Sequence, residues 1–366
     1  MTEEIWLMPA MGGEPSRLLV DETGIYSLAW SLDGSDVLYS SRGPRGGGLW
    51  RVAASGGRPV LLREFESGLF DLTVSKQGQF AYTRMRVDRG IMRVELADPN
   101  RPSGAPTRLN FSTRDDYAAR FSPDGQRIAI ESSRSGNYEI WICDSEGRNP
   151  VQLTSFGDSP VGSPSWSPDG RQIAFDSRRD GQADIYTMSA QGGQPRQLTS
   201  ERSDEVRPSW SHDGHWIYFG SNRTGAWQLY KRNVESAKTV QLTQNGGREA
   251  FESTDGNFVF YSKREGGVWR VPSGGGEEIP VLEEAQDWVL ASRGIYFVKN
   301  LPMQAIYWFD FSTRSITPIV ATEKGKAGNF GLWHDVRLSV SSDGRRLLYT
   351  QPDETDSDIM LLDNGG

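Results

Sequence analysis

Three histidines, His212, His215 and His334, are the chain's only imidazoles, and imidazole is the side chain most suited to proton transfer and metal ligation near neutral pH. His212 and His215 flank Asp213-Gly214, a tight-turn pattern, so both read as exposed hairpin residues. A metal centre would need His334 to converge on them, yet His334 belongs to a different class of connection. The acid-rich segments 176–184 and 353–358 offer the oxygens that calcium takes, but neither has EF-hand spacing, and both read as solvated loops. No Gly-x-Ser-x-Gly elbow, HExxH, paired CxxC or GxxxxGK[ST] occurs, which leaves serine-hydrolase, zinc-protease and phosphate-loop chemistry without a motif. The single cysteine, Cys143, lies between Ile142 and Asp144 and reads as a small core residue. No metal and no cofactor are expected.

The remaining polar chemistry sits on short connections that differ along the chain. Arg114, Asp116, Arg248, Glu249, Trp288, Trp333 and His334 are residue types that anchor a polar ligand or a partner, and variable loops on a regular scaffold are where such residues sit. They are expected to cluster at one channel mouth. A second group, Arg42, Arg134, Arg178 and Arg223, follows Ser-Ser, Asp-Ser or Ser-Asn at equivalent positions and is expected to bond loop carbonyls or carboxylates.

These residues are spaced by a repeat. Residues 121–155 and 166–200 share one pattern, and a third copy starts at Trp210: an aromatic, Ser-x-Asp-Gly, an apolar strand, a Ser/Arg/Gly loop, a strand ending in Ile/Leu-Trp/Tyr, a small-residue turn, then Gln-Leu-Thr. Turn glycines 34, 78, 125, 170, 214 and 256 stand 44, 47, 45, 44 and 42 residues apart, a relic persists at Ser292-Arg293-Gly294, and Gly344 follows. A period of about 40–45 residues with four strands is that of one propeller blade. In Ser122-Pro123-Asp124-Gly125, Pro presets φ, Asp bonds its own backbone and Gly accepts the left-handed conformation. Continuous apolar runs such as Ile128-Ala129-Ile130 suit strands covered on both faces.

The expected architecture is an all-β, eight-bladed propeller of four-stranded antiparallel blades in a single domain over 1–366. Its blades are read at about 26–63, 69–111, 117–154, 162–199, 206–243, 249–282, 288–320 and 332–362. The last lacks a fourth strand, so residues 16–20 are expected to complete it, closing the ring with N- and C-terminal strands in one shared blade. Residues 4–8 already have a third-strand pattern; opening mid-blade implies a segment of a longer protein.

The SPDG turns, the Ile-Trp/Tyr third strands and the Gln-Leu-Thr fourth strands resemble the WD-repeat-like propeller repeats of TolB-type proteins. Residues 357–363 are also similar to the end of a narrower group, in which such a propeller follows a CadC-type winged helix, usually with a membrane helix between, or a Ser/Thr kinase. That resemblance implies a non-catalytic protein- or ligand-binding propeller, the sensory or scaffold module of a larger bacterial regulator, with an extracytoplasmic location if tethered as in CadC-type relatives and a cytoplasmic one otherwise. The competing class is a carbohydrate-processing propeller of the lyase type, which holds manganese with histidines near the channel. A third is a structural interaction domain without a small ligand. The discriminator is a cluster of convergent His, Gln or Arg side chains over the channel.

Composition narrows the partners. Formal net charge is −8, which argues against direct nucleic-acid binding by counterion release. No run approaches the ~18 apolar residues of a membrane helix, so no membrane insertion by this segment is expected.

Overall fold

The computed structural model describes residues 3–21, 24–41, 47–65, 69–109, 112, 114–157, 159–263, 266–299, 305–321 and 336–362. Arg42, the connection 323–329, Trp333, His334 and the acidic side chains of 353–357 lie outside the described residues. Every described element is a strand or a turn. The chain divides into two compact units, 88–354 and 1–87 with 355–366, where the unbroken repeat leads to an expectation of one domain.

Within 88–354 lie five consecutive four-stranded antiparallel sheets. Sheet A contains Asp116–Phe121, Arg127–Ser132, Glu139–Asp144 and Val151–Gln152. Sheet B spans Val161–Trp166 to Arg196–Gln197, sheet C Glu205–Trp210 to Thr239–Gln241, sheet D Ala250–Glu252 to Ile279–Leu282, and sheet E Asp287–Ala291 to Ile316–Ala321. Sheet F combines distant segments in the order Thr107–Leu109, the later part of Phe80–Asp98, the earlier part of Arg346–Leu362, then Leu338–Val340.

Apolar side chains close these sheets into a ring. Ile140 and Ile142 of sheet A pack with Ile173 and Phe175 of sheet B, Ile185 of B with Ile217 and Phe219 of C, and Leu229 of C with Val259 and Tyr261 of D. Phe260 and Val268 of D pack with Trp288 and Ile295 of E, Tyr296 and Trp308 of E with Val94, Leu347 and Tyr349 of F, and Ile91 and Leu348 of F with Phe121 and Ile128 of A. The second strands are therefore covered on both faces: Ile128, Ala129, Ile130, Ile173, Ala174 and Phe175 are fully buried. Five of the eight expected blades stand intact in this ring, and its sixth sheet is a composite of the expected second and last blades.

The turns form as their sequence dictates. Ser122 Oγ donates to Asp124 Oδ1 at 2.5 Å, the same oxygen accepts the Gln126 N–H at 3.0 Å, and Gly125 has a φ of 67°. These hydrogen bonds, the Ser122 hydroxyl foremost, lower the Asp124 pKa. The same Ser–Asp clasp recurs at Ser31, Ser167, Ser211, Ser253 and Ser341.

The other two expected hairpins belong to the second unit. There Ile25–Trp30, Asp36–Ser41, Gly47–Ala53 and Val60–Phe65 form a four-stranded sheet, and Leu69–Val74 pairs with the start of Phe80–Asp98. The expected closure through residues 16–20 is corrected. Ser16–Asp21 pairs with Glu3–Leu7, whose buried Ile5 packs on Val37, Tyr39 and Val52. The reason lies in two long strands, Phe80–Asp98 and Arg346–Leu362, of 19 and 17 residues. Each runs past its own hairpin without a reversal. Residues 91–96 thus become the third strand of sheet F, while Met360 and Leu362, which belong with residues 1–87, pack against the cluster of Leu38, Leu72 and Tyr82 in that same unit.

Candidate functional site

First strands line the middle of the six-sheet ring, and at their turn-side ends they enclose a cavity of about 230 Å³. Its rim carries the turn residues Ser122, Pro123 and Ser342, and Trp166 and Phe251 form apolar wall. The floor is an ion cluster. Arg120 Nη2, Arg207 Nη1 and Arg337 Nη1 approach the Glu249 carboxylate at 3.2, 3.1 and 2.8 Å. Arg337 also donates to the Tyr117 hydroxyl at 2.9 Å and stands 3.8 Å from Asp287. Arg120 donates to the Leu338 carbonyl, and its own carbonyl accepts the Trp166 indole N–H at 3.0 Å. With Trp166 of sheet B and Asp287 of sheet E included, these contacts tie all six sheets together across the ring. Burial lowers the Arg120 pKa, with Glu249 acting in the opposite sense.

Backbone bulges aim these side chains inward. The pairing of first and second strands shifts register between Tyr117 and Arg120, Gly162 and Ser165, and Val206 and Ser209. Inside each shift one non-glycine residue takes a left-handed conformation: Ala118, Ser163 and Arg207, with φ of 51°, 55° and 57°. A bulge re-aims a side chain and frees a backbone N–H, which must find an acceptor. The preceding sheet supplies it: Glu131 Oε2 accepts the Ser163 N–H at 3.3 Å and Asp176 Oδ2 the Arg207 N–H at 2.9 Å. Burial raises the Glu131 carboxyl to about 7 and shifts Asp176 upward as well.

Of the candidate site residues that the structure describes, only Glu249 lines this cavity. Asp116 is buried at the start of sheet A, accepting from Ser112, Ser132 and Arg134. Arg114 is exposed, and exposed Arg248 lies over the Trp227 ring at 5.0 Å. Trp288 is core, edge-on to Phe251 at 5.2 Å and 2% exposed. The repeat arginines have the expected structural role, Arg134 pairing with Asp116, Arg178 with Asp204, and Arg223 with Glu205. His212 and His215 sit on an exposed turn, and among the described residues no histidine lines the cavity. Arg120, Arg207 and Arg337 were not anticipated. A signal existed: Arg207, Glu249 and Arg337 each stand four residues before the turn serine, at 211, 253 and 341.

The ring of four-stranded sheets defines an all-β propeller. The family model PD40, TolB beta propeller domain, matches residues 107–194 and 158–279, and that stretch carries TolB-like propeller repeats. Among solved structures, TolB from Acinetobacter baumannii is 20% identical over 76% of this chain and 59% of its own, with a TM-score of 0.40. A nidogen/laminin complex matches at 9% identity over 72% of this chain and 98% of that one, with a TM-score of 0.50. A puromycin-hydrolyzing peptidase from Mycobacterium tuberculosis matches at 12% identity over 83% and 55%, with a TM-score of 0.46. The chain spans less than two thirds of the TolB and peptidase chains. At these identities the likeness is one of fold.

Proposed function

We propose that this chain is a non-catalytic, protein-binding propeller whose contact point is the turn-side cavity, and that the group received there is a carboxylate of a partner segment, an acidic side chain or a free C-terminus. One observation carries the reading: among the described residues, three guanidiniums and a single carboxylate are the charged groups lining the cavity. Arginine forks match carboxylates geometrically, and in a partly desolvated pocket such contacts are stronger than on an open surface. Trp166 and Phe251 supply flat apolar wall for the flanking residues of a peptide. On the resemblance of residues 357–363, the module would serve as the sensory or scaffold part of a larger bacterial regulator. A small polar anion would use the same contacts.

The test is selection from a randomised peptide library on immobilised protein. Enrichment of Asp, Glu or a free C-terminus, lost in the Arg207→Gln, Arg337→Gln double variant, is the expected result. Enrichment of basic peptides, or the same acidic peptides on the variant, would overturn the reading.

A further inference from the structure

Sheets A, B and C share a polar clasp at the head of the third strand. Glu139, Asp184 and Gln228 each accept a hydrogen bond from the threonine of the following Gln-Leu-Thr, at 2.5, 3.0 and 3.1 Å. In A and C the next loop adds backbone donors: Phe156 and Gly157 N–H to Glu139, and Gly246 N–H to Gln228. In B the loop brings carboxylates instead. Glu201 and Glu205 approach Asp184 so that one oxygen from each of the three lies within 4.8 Å of the others.

Glu205 itself departs from its counterpart two repeats away, in sheet A. Asp116 has both oxygens bonded, to Ser112 on one side and to Ser132 and Arg134 on the other. Glu205 keeps an equivalent set on Oε1 alone: Ser203 at 2.6 Å, Ser221 at 2.8 Å and Arg223 at 3.3 Å. Its side chain is one methylene longer, and Oε2 is left fully buried with no partner among the described residues. An anionic oxygen in that position is costly unless something cationic meets it. Arg223 offsets part of the charge, reaching Glu201 at 3.2 Å, but three carboxylates face one guanidinium.

We propose that Asp184, Glu201 and Glu205 form a calcium site. Calcium takes oxygens at about 2.3–2.6 Å in flexible geometry, so oxygens sharing one ion stand up to about 5 Å apart, and loop carbonyls and water complete its shell. The spacing here fits without rearrangement of the strands, and Glu201, on the loop and 37% exposed, is the ligand free to adjust.

The experiment is calorimetric titration of the EDTA-treated full chain with calcium chloride, with melting curves in parallel. Saturable binding and a melting temperature raised by a few degrees are expected. Glu205→Gln keeps Oε1 for its serine donors and offers an amide N–H toward Asp184, so it folds, and it should weaken calcium at least tenfold; Glu201→Gln, on the loop, should weaken it severalfold. No saturable heat in the wild-type chain, or unchanged affinity in Glu205→Gln, would overturn the site. So would a Glu205→Gln chain that melts above wild type while calcium affects neither, since a shared proton would then be what the cluster holds.

Discussion

At the scale of single residues, the inner wall of the ring is governed by buried charge. Glu131 has its pKa lifted to about 7 chiefly by burial, against an ordinary value of 4.5. The folded chain therefore holds a proton that the unfolded chain releases between those values, and stability falls as pH rises from about 4.5 to about 7, levelling above. The full shift corresponds to about 3 kcal/mol at most. Glu131→Gln keeps an acceptor for the Ser163 N–H and does not titrate. In urea unfolding, the variant should gain on wild type between pH 5 and pH 7.5; a constant gap across that range would show that Glu131 does not carry the effect. This residue was invisible in the sequence because Glu131 looks like any polar residue after an apolar strand, and its depth follows from the neighbouring bulge. The arginines of the cavity floor were hidden for a related reason: the repeat consensus marks what is common to all copies, whereas Arg120, Arg207 and Arg337 occupy inward positions that differ from copy to copy.

At the scale of elements, the turns and second strands were legible because local chemistry determines them. Ser-x-Asp-Gly closes a hairpin from hydrogen bonds within six residues, as at Ser122, Asp124 and Arg127, and tertiary context has little to add. The bulges were not legible. Nothing in Ala118, Ser163 or Arg207 as residue types favours a positive φ, which costs a non-glycine residue about 1 kcal/mol; ring packing and the waiting carboxylates Glu131 and Asp176 impose it. This has a measurable consequence at Ala118, which is buried and at φ 51°. Ala118→Gly should leave stability unchanged or raise it by up to about 1 kcal/mol, whereas Ala118→Val, β-branched and bulkier, should cost about 2 kcal/mol or more. Equal losses for both in chemical denaturation would mean that the left-handed conformation is not what constrains the position. The long strands Phe80–Asp98 and Arg346–Leu362 were missed for want of punctuation: each lacks a turn where its hairpin should end, and periodicity cannot say which sheet a continuing strand will join.

At the scale of the whole molecule, closure decides what can stand alone. A propeller sheet buries both faces only when each neighbour is present, so an open ring exposes two apolar faces and strand edges at once. Residues 88–354 contain all six interfaces of their ring, including both contacts of sheet F: Val94 and Leu347 toward sheet E, Ile91 and Leu348 toward sheet A. The hydrogen bond from the Leu96 N–H to the Arg345 carbonyl, 2.7 Å, joins the two ends of this segment. The segment is contiguous in sequence, so it contains its own closure without residues 1–87. Expressed alone, 88–354 should therefore unfold in urea as one cooperative transition with β-type circular dichroism. Trimming it to 110–354 removes Ile91, Val94, Leu96 and Leu109 together, stripping two strands from sheet F and apolar partners from E and A. That shorter chain should be insoluble or should lose cooperativity, a far larger effect than its 22 missing residues would have at a free terminus. If 110–354 unfolded as sharply as 88–354, sheet F would not be what holds the ring shut, and the third-strand role of residues 91–96 would have to be abandoned.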